Sequence, residues 1–280
     1  MSKQTRLAFL GPPGTFGEEA ALLHDPGACL LPFSSHAAVV SAVDSGMADA
    51  GVVPLENSVE GGVNETLDIL IHETDLRMRS ELVLPINHCL LVSPGMNASD
   101  VDVIYSHPQA LGQCRRFVER CFPRARLEAS LSTAAAVQEL GRTAAAAAIA
   151  TKRAAELYGA EVLAAGIQDR RSNVTRFVIL GHADAEPTGA DKTSLAVAMP
   201  HDRPGTLVGV LKEFADEGIS LSRIESRPSK DALGIYIFLI DLEGHRLDPR
   251  VAAVLERVRA RSNFFKVFGS YPRYRIAGSG

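Results

Sequence analysis

Short apolar runs alternate with segments of helical spacing through the first 180 residues, and beyond them the order changes. Residues 7–11 (LAFLG), 28–33 (ACLLPF) and 50–55 (AGVVPL) are separated by EEAALLH and HAAVVSAVDSG, in which apolar residues recur at helical intervals. Runs this short and continuously apolar suit strands buried on both faces, so the first third reads as βαβαβ on a parallel sheet. After a further helical stretch, VNETLDILIHE, residues 76–93 form a β-rich run, LRMRSELVLPINHCLLVS, interrupted by Pro85. It is long for one strand and is expected to leave the first sheet and enter a second lobe. That lobe repeats the rhythm with VDVIYS, a helix in QALGQCRRFVERCF, RLEAS, a helix in TAAAVQELG, AAAAIA and a helix in TKRAAELYG. The alanines at 144–148 are assigned to a buried strand or helix end, against their helix propensity. Strand character returns in GIQDRRSNVTRFVILG. One crossing out and one back make two lobes facing a cleft, with RRSNVTRF (170–177) at the return crossing, and such clefts are where small-molecule sites form.

From His182 to Asp191 the stretch HADAEPTGAD is polar and aperiodic and reads as a linker. Beyond it, TSLAVAMP (193–200), a helix in PGTLVGVLKEFADEG, ISLSRIESRP, LGIYIFLIDLEGH, a helix in PRVAAVLERVRARS and NFFKVFGSYPRY spell βαββαβ, a small α+β sandwich. Pro204 in the first helical turn and Gly218 just past the end punctuate its first helix. Two domains suit a chain of 280 residues that is 46% hydrophobic and 22% charged. A net charge of −4 gives no footprint for nucleic acid or an anionic membrane, so small molecules are the expected partners. The opening MSKQTRLAFLG is too short in apolar residues for a signal peptide, and no stretch approaches the ~20 apolar residues of a membrane span. The four cysteines form no Cys-x-x-Cys pair. Cys114 and Cys121, on one face of an expected helix, read as core thiols, and a cytoplasmic location follows.

Four loops hold candidate chemistry. GPPGTFGEEA (11–20) joins the first strand to the first helix, where backbone N–H groups can meet an anion, although a tight βα turn would look the same. It has neither the P-loop ending nor a dinucleotide fingerprint. PLENSVEGG (54–62) offers Glu56, Asn57 and Ser58 in succession, a composition that equally suits a solvated loop. SHPQALGQC (106–114) and LSTAAAV (131–137) occupy the matching places in the second lobe, with Ser132 or Thr133 as a helix cap. His107 is the histidine placed at a strand-to-helix turn among other polar groups. His24, His36, His72, His88, His182, His201 and His245 have no metal-ligand spacing, and no Gly-x-Ser-x-Gly elbow is present, so metal and serine-hydrolase chemistry are not expected. RRSNVTRF differs from these, because burying an arginine is costly unless a partner carries negative charge. Thr175 and Arg176 are adjacent in a strand and point to opposite faces, so one meets a ligand while the other braces the lobe, unless a bulge turns both inward.

These stretches together resemble the monofunctional prephenate dehydratases with a C-terminal ACT regulatory domain. GPPGTFGEEAA, VPLENSVEGGVNETLDIL, SHPQALGQC, STAAA, IQDRRSNVTRF, GTLV, ESRP and GSYP carry the resemblance, in order, over roughly residues 6 to 273. It implies a two-lobed catalytic region like the periplasmic binding proteins over 1–182, with lobe one at about 1–80 and 168–182 and lobe two at about 81–167. A linker at 183–192 and an ACT domain at 193–273 would follow. The implied reaction turns prephenate into phenylpyruvate with loss of water and carbon dioxide, in phenylalanine biosynthesis, without a cofactor or metal. On the resemblance Thr175 is catalytic and faces the substrate, and Arg176 supplies positive charge beside a dianion. A threonine hydroxyl is a poor proton source, so Thr175 reads as a hydrogen-bond donor or relay to the leaving oxygen, with Glu56 or His107 as the proton source behind it. Substrate contacts would come from Thr15, Asn57, Ser58, His107, Gln109, Ser132, Thr133, Asn173 and Phe177.

Phenylalanine would bind as effector between paired ACT domains, through Gly205, Thr206, Leu207 and Val208 and through Glu225, Ser226, Arg227 and Pro228. A homodimer or homotetramer is implied. Two departures stand out: Thr206 replaces the alanine of the usual Gly-Ala-Leu-Val, and Gly17 stands where a polar residue usually offers a helix cap. Two other readings are an arogenate dehydratase, whose substrate carries an amino group in place of a keto oxygen, and a two-lobed sensor of amino acids or small anions without chemistry.

Overall fold

The structure, a computed structural model, describes residues 4–143, 145–199, 204–230 and 235–274. The first expected alternation is present as β1 (Arg6–Leu10), α1 (Phe16–His24), β2 (Cys29–Phe33), α2 (His36–Asp44) and β3 (Ala50–Asn57). β1 pairs in parallel with both β2 and β3, as continuously apolar strands with helical crossovers require. A short β4 (Gly61–Gly62) folds back on β3, and α3 (Asn64–His72) follows it. The long β-rich run divides into β5 (Arg77–Pro85) in the first sheet and β6 (Cys89–Val92) in the second. The first sheet has the order β2-β1-β3-β11-β5, in which β11 (Val174–Gly181) is the returning strand.

The second sheet contains β6, β7 (Val103–Ser106), β8 (Arg126–Ala129), β9 (Ala146–Ala150) and β10 (Glu161–Ala165), in the order β10-β6-β9-β7-β8. Its central strand β9 reads AAAIA and is buried throughout. Ala146, Ala148 and Ala150 belong to one apolar cluster and Ala147 and Ile149 to another, so both faces of the strand are packed. Burial on both faces overrides the helix propensity of alanine. The helices of this lobe are α4 (Pro108–Gln113), α5 (Arg115–Cys121), α6 (Thr133–Gln138) and α7 (Lys152–Tyr158).

The expected single helix over QALGQCRRFVERCF is broken at Cys114, which has φ −112 and ψ 12. Asp169 supplies the bonds of the break: its N–H donates to Gln113 O at 2.7 Å and its carboxylate accepts from Arg116 N at 3.2 Å. The break also separates the two cysteines that the sequence placed on one face. Cys114 is buried, its thiol pushed up to about 12 by desolvation, whereas Cys121 is exposed and is no core thiol.

The C-terminal elements are β12 (Asp191–Ala198), α8 (Thr206–Asp216), β13 (Leu221–Pro228), β14 (Tyr236–Glu243), α9 (Pro249–Ala260) and β15 (Phe264–Pro272). They give the expected βαββαβ sandwich, with strand order β13-β14-β12-β15. Val210 and Phe214 of α8 and Val254 and Val258 of α9 pack on Leu195, Val197, Ile240 and Leu242, each burial worth about 1.5–3 kcal/mol. Pro204 lies outside α8, whose N-cap is Gly205 at φ 90. Gly218, at φ 63, follows the helix as expected.

The chain divides into two compact units, residues 1–63 with 82–177 and residues 64–81 with 178–280. This places α3 and the first part of β5 with the C-terminal segment, where the sequence reading had set them in lobe one. Long-range ion pairs within the second unit account for it: Asp68 meets Arg227 and Lys230, and Glu81 meets Lys192. The close packing of β15 on β5 demands Gly269, at φ 155, because a Cβ there would lie 2.2 Å from Met78 O. The segment expected to be a linker makes bonds within this unit. Asp184 pairs with Arg246, Ala185 N–H donates to Ser270 O, and Thr188 bonds Asp191.

Candidate active site

The first unit gathers polar side chains where β3 ends and β11 begins. Asn57, the last residue of β3, accepts from Val59 N at 2.9 Å and Glu60 N at 3.2 Å through Oδ1. Its Nδ2 therefore faces the other way and donates to Asn173 Oδ1 at 2.8 Å and Thr175 Oγ1 at 2.9 Å. Asn173 Nδ2 donates to Gln113 Oε1 at 3.0 Å, and Gln113 Nε2 donates to Glu60 Oε1 at 2.6 Å. The chain of amides thus closes on the loop from which it starts. Asn173 and Thr175 are both buried.

Beside this network lies a cavity of about 300 Å³ lined by Glu60, Gln109, Gln113, Gln168, Asp169, Arg170 and Asn173, among others. Arg170 is the cation among its lining residues. Arg176 sits 4.0 Å from Glu56. Because neighbours in a strand point to opposite faces, the pair Glu56–Arg176 occupies one face of β3 and β11 and the pair Asn57–Thr175 the other. Thr175 and Arg176 meet different partners, Asn57 and Glu56 respectively. Phe177, two residues after Thr175, is buried, and Ser58 is tied to the entry of β11, its Oγ accepting from Val174 N and donating to Ser172 O.

Three of the remaining candidates, Thr15, Ser132 and His107, serve as helix caps. Thr15 Oγ1 accepts from Glu18 N and donates to Leu10 O, so α1 has its cap despite Gly17. Ser132 accepts from Ala135 N to cap α6, with Thr133 as the first helical residue, and His107 Nδ1 accepts from Gln109 N to cap α4. In the loop whose backbone N–H groups could meet an anion, the N–H of Gly14 donates to the Glu18 carboxylate at 2.5 Å. The same loop is held to α7, where Thr151 Oγ1 donates to Gly14 O at 2.7 Å and Tyr158 OH to Pro13 O at 2.8 Å. Gly14, at φ 90, leaves no room for a side chain, since a Cβ would lie 3.0 Å from Ala154.

Gln113, Gln168 and His88 belong to the network or its surroundings and are not among the site candidates that the sequence offers. A polar pair inside LPINHCLL was the available signal for His88, since a histidine in an apolar strand run needs a buried partner. Among the described residues no group of three or more histidine, cysteine or acidic side chains is placed to hold a metal, and no helix is long and apolar enough to cross a membrane.

Residues 7–185 match the prephenate dehydratase family and residues 193–260 match the ACT domain. The chain belongs to the prephenate dehydratase family. It is 41% identical over 274 residues to a bifunctional chorismate mutase/prephenate dehydratase of Stutzerimonas stutzeri, covering 98% of this chain and 74% of that one. A prephenate dehydratase of Mycobacterium sp. (strain KMS) is 39% identical over 288 residues, covering 98% of this chain and 91% of its own. The crystal structure of prephenate dehydratase from Arthrobacter aurescens in complex with L-Phe superposes with a TM-score of 0.87 at 42% identity, covering 96% of this chain and 90% of that one. The chain thus carries both expected parts, a dehydratase region and an ACT domain, in this order.

Proposed function

We propose that the protein converts prephenate to phenylpyruvate and that the amide network aims the hydroxyl of Thr175 at the leaving group. Membership of the family supports the reaction, and the single observation that supports the role of Thr175 is the 2.9 Å bond it receives from Asn57. Asn57 cannot offer an acceptor at that point, because its oxygen is engaged by Val59 and Glu60. Thr175 Oγ1 therefore accepts from Asn57, and its own proton is directed to the substrate. There it donates to the ring hydroxyl as that group departs. The reaction breaks the C–O bond to this hydroxyl and the C–C bond to the ring carboxylate, whose electron pair completes the aromatic ring. The departing hydroxide takes up one proton from solvent and leaves as water, Thr175 keeping its own proton in the hydrogen bond, and carbon dioxide leaves. Donation to a departing oxygen is worth about 10²- to 10⁴-fold.

Arg170 and the amides of Gln109 and Gln113 supply charge and hydrogen bonds to the substrate's carboxylates from the cavity wall, and Glu56 with Arg176 braces the strands from the opposite face. Thr15, Ser132 and His107 act through the helix ends that they cap, and Thr133 as the first residue of α6. In the second unit, residues 205–208 and Glu225 and Ser226 contact phenylalanine. Arg227 links that site to α3, where it bonds Asp68 and Asn64. Asn64 begins α3, which the chain joins through β4 to Glu60 and Asn57, so effector binding has a covalent route to the amide network. Coupling of about 1–3 kcal/mol would suffice for feedback inhibition. Pairing of chains through the edge strands of the C-terminal sheet and a cytoplasmic location belong to the same proposal.

The test is phenylpyruvate formation from prephenate, read by its ultraviolet absorbance in alkali, with and without phenylalanine. Turnover that phenylalanine suppresses is expected. Turnover with arogenate alone would reassign the substrate, and binding without turnover of either would make the protein a sensor.

A further inference from the structure

We infer that His88 is a positioning residue for this reaction, holding the amide of Gln113 in the one orientation that lets Asn173 and Asn57 present a donor to Thr175. This inference rests on the reading of Thr175 given above. The orientation follows step by step from backbone groups, whose donors are unambiguous. Val59 and Glu60 N–H fix the oxygen of Asn57, so its nitrogen meets Asn173 Oδ1, and Asn173 Nδ2 then meets Gln113 Oε1. His88 Nε2 lies 2.9 Å from the same Oε1. An oxygen that already serves as acceptor can only accept again, so His88 carries its proton on Nε2.

The surroundings of the ring hold that state. His88 is 2% exposed, and its backbone is fixed on both sides, with His88 N donating to Gln168 Oε1 at 3.1 Å and Ile167 N donating to His88 O at 3.1 Å. Phe16 meets the ring edge-on with centroids 5.4 Å apart. Nδ1 is buried without a hydrogen-bond partner among the described residues. A second proton there would be an unpaired buried donor, and burial indeed pushes the imidazole below its ordinary pKa, against the opposing effect of Gln113. The ring is thus a neutral donor with a single direction. Gln113 Nε2 is held by Glu60 from the other side, so the amide is clamped at both ends.

The test compares His88→Leu, His88→Gln, Gln113→Leu and the double variant His88→Leu/Gln113→Leu. Both His88 variants lose the packing against Phe16 and should lose similar thermal stability. His88→Leu should lower kcat about tenfold, the worth of one aligned hydrogen bond, with KM changed less than about twofold. His88→Gln, which restores an N–H near the lost Nε2, should recover kcat to within about threefold of the unaltered protein. On a Gln113→Leu background, His88→Leu should add less than about twofold, since its action passes through that amide. Equal kcat losses in the two His88 variants, no loss in His88→Leu, or losses that multiply fully in the double variant would overturn the inference. If the unaltered protein fails to turn over prephenate, the proposed function is at fault, and nitrogen-15 NMR still decides this point. A neutral ring protonated on Nε2, with Gln113 side-chain amide signals that move in His88→Leu but not in His88→Gln, is expected. The opposite tautomer or a charged ring at neutral pH would refute it.

Discussion

Two strand ends carry arginine-bearing motifs, at the start of β11 and at the end of β13, and the polar groups around them are of opposite kinds. Around Thr175 the groups that meet are amides, an imidazole and a hydroxyl, with one carboxylate, Glu60, closing the chain. Around Arg227 they are ions: Asp68 at 2.7 Å, Glu225 at 3.8 Å, and Lys230 sharing Asp68. An amide has a donor end and an acceptor end, so a chain of amides carries a direction to the hydroxyl at its end. Ion pairs lack that directionality but reach further and respond to salt and pH. A neutral network therefore suits the aiming of a proton, and a charged one suits a contact that is made and broken.

The largest effect expected from this contrast is at the end of the directed chain. Thr175→Ala should lower kcat by about 10²- to 10⁴-fold with little change in KM, and Thr175→Ser should recover most of it. Steady-state rates of phenylpyruvate formation check this. Near-normal turnover in Thr175→Ala would remove the purpose of the amide network and with it the contrast between the two regions.

Next in size is the loss of the ionic centre. Arg227 has 10% of its side chain exposed and Asp68 20%, so removing the arginine leaves a carboxylate that solvent only partly screens. Arg227→Ala should destabilise the protein by about 2 kcal/mol, read from denaturant unfolding, and the difference from the unaltered protein should shrink as salt is raised. Arg227→Lys should not restore it, because a single ammonium cannot reach Asn64 and Asp68 with the two arms that the guanidinium uses. A salt-independent difference would mean that packing of the arginine stem, and not its charge, holds α3.

These two regions were unequally legible in the sequence. The strands and helices that surround the site follow from local periodicity, and β1 to β3 and the βαββαβ unit fall where the alternation puts them. Asn57, Asn173 and Thr175 could be picked from their motifs because each stands at a strand end. The break at Cys114 could not, because the groups that make it come from Asp169, more than fifty positions away. That break ends α4 at Gln113, so the residue at the centre of the network was hidden with it. The role of His88 leaves no trace in the sequence for the same kind of reason: alone in an apolar run it has no telling spacing, and its partner is 25 positions on. The grouping of α3 with the C-terminal segment likewise rests on an ion pair between residues 159 apart. Charge partners at that separation leave no periodic trace.

The smallest expected effect separates the two regions by pH. His88 is held below its ordinary pKa by burial, so as pH falls below about 6.5 the unfolded chain takes up a proton that the folded chain refuses. The stability that His88 contributes is complete above that pH and is lost as pH falls, at no more than about 1.4 kcal/mol per pH unit, until the folded ring titrates as well. Burial alone would raise the pKa of Asp68, but hydrogen bonds from Lys230 and Arg227 and their charges outweigh it and hold the carboxylate below its usual range. Its contribution is therefore intact through the His88 window and falls away only as pH drops below about 4. Subtracting the unfolding free energy of His88→Gln from that of the unaltered protein should leave a slope confined to the first window. The same subtraction with Asp68→Asn should leave one confined to the second. If the His88 difference were flat between pH 6.5 and 5, the buried ring would already share its proton with a group other than Gln113, and the neutral network would lose the feature that sets it apart from the ionic one.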